Sequence, residues 1–143
     1  MWGMPEGIKP ERRLSEGTVL IVDDEPTLIR AASRLLKTMG FDVLIATDGK
    51  EAIEICRAKA DRIDVILLDL ILPEMTSVET LRRLRSIRPG LKVILTSGYS
   101  KDESIARFGS APPDGFVAKP FGYAELENAV RAAIGSTSRI PGA

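Results

Sequence analysis

Five short apolar runs, separated by stretches of helical spacing, set the pattern of the chain. The runs are Thr18-Val19-Leu20-Ile21-Val22, Asp42-Val43-Leu44-Ile45-Ala46, Val65-Ile66-Leu67-Leu68-Asp69, Lys92 to Tyr99, and Gly115-Phe116-Val117-Ala118. They are continuous rather than alternating, which reads as strands buried on both faces, as in a parallel sheet. After Pro26, a residue suited to a first helical turn, Leu28, Ala32, Leu35, Leu36 and Met39 recur at helical spacing until Gly40. Asp48 and Glu51 have capping-box spacing for a second helix whose apolar face holds Ala52, Ile53, Cys56 and Ala60. Thr76 and Glu79 repeat that spacing before a third helix, with Val78, Leu81 and Leu84 expected inward. A short, weakly patterned helix is expected from Lys101 to Phe108. The last helix carries Leu126, Ala129, Val130, Ala133 and Ile134 inward and stops at Gly135. Strand and helix thus alternate five times, which predicts an α/β fold: a five-stranded parallel sheet with helices on both faces and right-handed crossovers.

At 143 residues the chain fits a single domain. Residues 18–135 read as that domain, 1–17 as a flexible N-terminal lead rich in Gly, Pro and charge, and 136–143 as a flexible C-terminal tail. Lys+Arg and Asp+Glu both number 20, so no basic excess points to direct nucleic-acid binding. Arg82, Arg83, Arg85 and Arg88 share the third helix; a partner surface and a solvated helix face both remain open for them. A lone cysteine, Cys56, excludes an internal disulfide and a cysteine metal cluster, and points to a reducing, cytoplasmic compartment. There is no histidine, which excludes histidine triads, histidine metal sites and a phosphohistidine on this chain. The apolar runs are too short for membrane insertion, and Met1 to Gly17 lacks the apolar centre of a signal peptide.

Chemistry is left to carboxylates, hydroxyls and lysine, and these gather at strand ends. Asp69 closes an apolar strand, where a buried, unpaired carboxylate is costly; taken alone it could simply begin a loop. Asp23, Asp24 and Glu25 follow the first strand. At ~4 Å and an effective dielectric constant of ~20, each like-charge pair among them costs roughly 4 kcal/mol, so they are either a solvated turn or a cation site. Thr96-Ser97 ends the fourth strand and Lys119-Pro120-Phe121 follows the fifth. In a parallel sheet all these ends meet on one rim, where open α/β sheets bind ligands. Together they suit phosphoryl transfer: hard oxygen ligands for Mg²⁺, a lysine for an anion, a hydroxyl donor, and a carboxylate able to attack phosphorus.

With these residues assembled, the chain resembles the receiver domain of two-component response regulators from Thr18 to about Ile134. The matching pieces are Val22-Asp23-Asp24-Glu25-Pro26, Leu67-Leu68-Asp69 with Pro73 four residues on, Ser97-Gly98, and Lys119-Pro120-Phe121. The resemblance implies a flavodoxin-like, doubly wound sheet with strand order 2-1-3-4-5. It implies that Asp69 takes a phosphoryl group from a phosphohistidine on a sensor histidine kinase or histidine phosphotransfer protein. Asp24 and Asp69 would ligate Mg²⁺ directly, Asp23 through water, and the Ile71 carbonyl would complete the protein's share. Lys119 would pair with Asp69 and then with phosphoryl oxygens. Either Thr96 or Ser97 could be the switch hydroxyl; register from Lys119 selects Ser97. Phe116 would be the switch aromatic, and the Lys119-Pro120 bond is often cis in the family.

Departures from the family pattern are Thr76-Ser77, where Asp-Gly is common, and the Ala111-Pro112-Pro113 segment. Ile71 and Tyr99 stand where relatives often carry groups that admit or orient hydrolytic water, which implies slow self-dephosphorylation. Ser97-Gly98-Tyr99 is similar to receivers attached to hybrid sensor kinases. The reading is a signalling switch rather than an enzyme, with no room for a DNA-binding output domain after Ile134. It is a stand-alone regulator or part of a larger kinase, acting on an output partner or dimerising through the fourth helix, fifth strand and fifth helix. The competing readings are a Mg²⁺-dependent phosphohydrolase with an aspartyl-phosphate intermediate, which needs Asp-x-Asp on one strand end, and a phosphorylation-independent interaction module.

Overall fold

A computed structural model describes residues 15–135 of the chain. The lead over 1–17 and the tail over 136–143 expected from the sequence lie outside the described residues, apart from residues 15–17. Gly17 already belongs to the first strand, one residue before the expected start.

Five strands, β1 (Gly17–Val22), β2 (Phe41–Ala46), β3 (Val65–Asp69), β4 (Lys92–Ser97) and β5 (Gly115–Ala118), alternate with five helices. The helices are α1 (Pro26–Thr38), α2 (Gly49–Lys59), α3 (Ser77–Ile87), α4 (Lys101–Ala106) and α5 (Tyr123–Gly135), with a 3₁₀ turn at Ala60–Arg62 after α2. All strand pairs are parallel, in the order β2-β1-β3-β4-β5, the flavodoxin-like arrangement the resemblance implies. All five residues of β3 are buried, as its unbroken aliphatic run requires at the centre of a sheet covered on both sides.

Alternate strand residues feed two cores. Val19, Ile21, Val65, Leu67, Ile94 and Val117 face Ala32 and Leu36 of α1 and Leu126, Val130 and Ala133 of α5. Leu20, Val22, Ile66, Leu68, Val93 and Leu95 face Ala52, Ile53 and Cys56 of α2, Leu81 and Leu84 of α3, and Phe108 after α4. This alternation fixes which face of the sheet each strand-end side chain leaves from. Cys56 is a fully buried core residue whose thiol burial pushes up, with Arg88 pulling the other way.

Both expected N-caps form. Asp48 accepts from the Glu51 amide at 2.8 Å and Thr76 from the Glu79 amide at 3.1 Å. The reciprocal halves differ. The Glu51 carboxylate reaches the Thr47 amide, and the Glu79 carboxylate turns to Arg82 and Arg83. Val78 does not face inward as expected; it is exposed, and the buried side of α3 runs through Ser77, Thr80, Leu81 and Leu84. Packing explains why: a Cβ on Gly49 would come within 2.3 Å of Thr80 Oγ1, so α2 meets α3 too closely for larger side chains. The arginines of α3, and Arg88 at its C-cap, make bonds within the chain. Arg82 and Arg83 pair with Glu79 on the exposed face, Arg85 with Asp114, and Arg88 donates to the carbonyls of Ala60 and Ile63.

Candidate functional site

The carboxyl ends of β1, β3 and β5 bring Asp23, Asp69 and Lys119 together. Asp23 and Asp69 are buried, 1% and 7% exposed, while Asp24 faces solvent. Lys119 Nζ lies 3.1 Å from Asp69 Oδ1 and 3.2 Å from Asp23 Oδ2. One oxygen from each of Asp23, Asp24 and Asp69 falls within 4.8 Å of the others. The Glu25 amide donates to Asp23 Oδ1 at 2.9 Å, which fixes the turn into α1. The Ile71 amide donates a long bond, 3.4 Å, to Asp69 Oδ1.

Burial, and then the neighbouring Asp23 charge, push the Asp69 carboxyl from 3.8 up to about 6, against the pull of Lys119. Burial pulls the Lys119 ammonium down, but Asp69 and Asp23 more than offset it and leave it above its ordinary value. Lys119 sets one positive charge against three carboxylates, so the cluster is short of positive charge. Three hard oxygen donors around that deficit fit a divalent cation such as Mg²⁺.

The remaining predicted residues stand around this cluster in different ways. Thr96 is in register with Asp69 on the neighbouring strand. Ser97, one residue on, is 2% exposed, and its hydroxyl is turned toward α4, where it accepts from the Tyr99 amide and from Ser104 Oγ, both at 2.9 Å. Phe116 is half-buried against the α2–α4 core. Ile71 and Tyr99 are exposed at 54% and 52%, and the Arg107 guanidinium lies 5.3 Å from the Tyr99 ring centre. The Lys119-Pro120 peptide is cis. Ser104 went unnoticed in the sequence because it sits in a six-residue helix with no readable period.

A model of the response regulator receiver domain matches residues 19–131. The chain belongs to this family. Receiver domains are the phosphoacceptor signalling modules of two-component systems; they work with histidine kinases and output domains, and bind Mg²⁺ at an acidic pocket. The probable transcriptional regulatory protein TcrX of Mycobacterium tuberculosis is 38% identical over 120 residues, which cover 84% of this chain and 50% of that protein. The chain therefore spans about half the length of this relative. A receiver domain protein from Clostridium thermocellum superposes with a TM-score of 0.77 at 26% identity, covering 83% of this chain and 94% of that one. The receiver domain of a sensor histidine kinase from Pseudomonas aeruginosa PAO1, solved with magnesium coordinated in its active site cleft, gives 0.76 at 25% identity, with 84% and 98% covered. Among the described residues no helix is long and apolar enough to cross a membrane.

Proposed function

We propose that this receiver takes a phosphoryl group onto Asp69 from a phosphohistidine on a partner kinase or phosphotransfer protein. The observation that carries this reading is the buried Asp69 carboxylate, held 3.1 Å from Lys119 with Asp23 and Asp24 alongside. A carboxylate oxygen of Asp69 attacks phosphorus as the P–N bond of the donor breaks. The electron pair returns to the imidazole nitrogen, and an acyl phosphate remains on Asp69. Little covalent help is needed from the protein; positioning and charge neutralisation carry the step. Lys119 orients Asp69 and then meets the phosphoryl oxygens. Ser97 donates to one of them once it turns from α4.

Asp24 and Asp69 would hold Mg²⁺ directly, Asp23 through water, with the Ile71 carbonyl completing the protein's share. Bound there, the ion neutralises charge on the phosphoryl oxygens. A groove of 410 Å³ beside Lys119, lined by Thr27, Leu28, Ala31, Pro120 and Phe121, suits the approach of the donor domain. Phosphorylation biases a two-state equilibrium in which Ser97 and Phe116 move. The α4–β5–α5 face passes the change to an output partner or a second copy, in the cytoplasm.

Incubation with Mg²⁺ and acetyl phosphate, followed by intact mass measurement, tests the assignment. One phosphoryl adduct is expected on the wild type and none on Asp69→Ala. An adduct that survives the substitution would overturn it. The Ile71 side chain has no polar group to orient an attacking water, and with the Tyr99 ring it shields the site, so the acyl phosphate should be long-lived. Ile71→Asn is expected to shorten its lifetime several-fold in a decay assay, and an unchanged lifetime counts against this role.

A further inference from the structure

Ser104 is an unusual residue for its position. The other residues of the first turn of α4, Lys101, Asp102 and Glu103, are exposed, yet Ser104 is 0% exposed. A buried hydroxyl is tolerated where it is hydrogen-bonded, and this one donates to Ser97 Oγ at 2.9 Å. Ser97 Oγ also accepts from the Tyr99 amide. A hydroxyl oxygen has two acceptor sites, so both are engaged from the α4 side.

Strand geometry places that engagement on the wrong face for phosphate. Asp69 is in register with Thr96, and successive side chains leave a strand on opposite faces. Ser97 therefore leaves β4 on the α2–α4 face, the face of Val93 and Leu95. To reach a phosphoryl group on Asp69, the Ser97 hydroxyl has to leave Ser104.

We propose that Ser104 is a positioning residue that holds the Ser97 hydroxyl in the unphosphorylated arrangement, and that capture of Ser97 by the phosphoryl oxygens breaks the Ser97–Ser104 bond and frees α4. The inference rests on the phosphoacceptor reading of Asp69. Its physical driver is asymmetric: once Ser97 turns away, Ser104 is a buried hydroxyl without its acceptor, which favours movement of α4. Arg107, the residue that caps the C-terminal end of α4, lies over the Tyr99 ring and links the end of the helix to the same loop.

Titration with beryllium fluoride and Mg²⁺, a phosphoryl mimic, tests this by isothermal calorimetry on four proteins: wild type, Ser104→Ala, Ser97→Ala and the double variant. Ser104→Ala should bind about fivefold tighter than wild type, the equivalent of losing one ~1 kcal/mol hydrogen bond from the unbound state. In the Ser97→Ala background the same substitution should change nothing, whereas a merely structural role would act in both backgrounds. Amide hydrogen exchange in α4 should rise when beryllium fluoride is added to the wild type, and should already be raised in ligand-free Ser104→Ala. Unchanged or weaker binding by Ser104→Ala, or an equal effect in both backgrounds, overturns the role of Ser104 alone. Failure of the wild type to bind the mimic, together with no adduct on Asp69, overturns the phosphoacceptor reading and this inference with it.

Discussion

Asp69 is held in a form that favours its neutral state, and stability records that. In the metal-free protein its carboxyl titrates at about 6 rather than 3.8. Between those values the folded chain binds more protons than the unfolded one, so stability falls as pH rises through the interval. The rise of about two pK units corresponds to at most ~3 kcal/mol, less what solvent screening removes; that stability is fully present below pH 4 and is lost as pH rises through 6. Asp69→Asn removes the charge and keeps the shape. With metal chelated, it should be more stable than wild type at pH 7.5 by up to that amount, and equal to it near pH 4, as read from urea midpoints. A variant no more stable at pH 7.5 would show that Lys119 outweighs burial. Residues of this kind were legible in the sequence because each is a polar interruption at the end of an apolar run. Ser104 was not, because a serine on a short helix looks like a solvent-facing residue until the helix is placed against β4.

Among the elements, strands were read more reliably than helix faces. A continuous aliphatic run has one interpretation in an alternating α/β chain; β3 and β5 lie where their runs stand, and β4 ends at Ser97, two residues before its expected end at Tyr99. Helix α3 was misjudged because its inward side mixes Ser77 and Thr80 with Leu81 and Leu84, while Val78 points to solvent. Apolar spacing alone cannot find a face built from small polar residues. The reason for that face is the approach of α2: Gly49 at its first position lies against Thr80 and Met75 of the following loop and helix. A methyl group at 49 would meet Thr80 Oγ1 at 2.3 Å, where that hydroxyl is tied to the Thr76 carbonyl at 2.8 Å. Gly49→Ala should therefore destabilise by about 1–3 kcal/mol, the range for overpacking. Thr80→Ala, itself destabilising through lost packing and a lost hydrogen bond, should recover part of that loss when combined with it. Additive effects in denaturant unfolding would mean the two sites do not touch.

For the whole molecule, parallel topology does what no single element can: it collects the ends of separate strands on one rim. The alternation of runs predicted the parallel sheet, whereas the order 2-1-3-4-5 came from the family resemblance, since nothing in five similar strands says which is central. The molecule carries 20 acids and 20 bases, so its overall charge is balanced. The rim is not, with three carboxylates within 4.8 Å around one lysine. A divalent cation binding there should stabilise the fold by mass action. At ten times the dissociation constant of Mg²⁺ the gain is ~1.4 kcal/mol, a rise of about 5 °C in Tm for a domain of this size. Protons compete with the cation at Asp69. At pH 5, one unit below its metal-free value of about 6, about one carboxyl in ten is ionised, and affinity should fall about tenfold. The same Mg²⁺ concentration then gives only ~0.4 kcal/mol, and a Tm shift of about 1–2 °C. Asp24 is exposed and makes no hydrogen bond or ion pair among the described residues, so Asp24→Asn should fold normally and lose most of the shift at both pH values. Melting curves with Mg²⁺ or chelator at pH 7.5 and pH 5 check this. An equal shift at the two pH values, or one retained in Asp24→Asn, would place the cation away from the Asp69 rim.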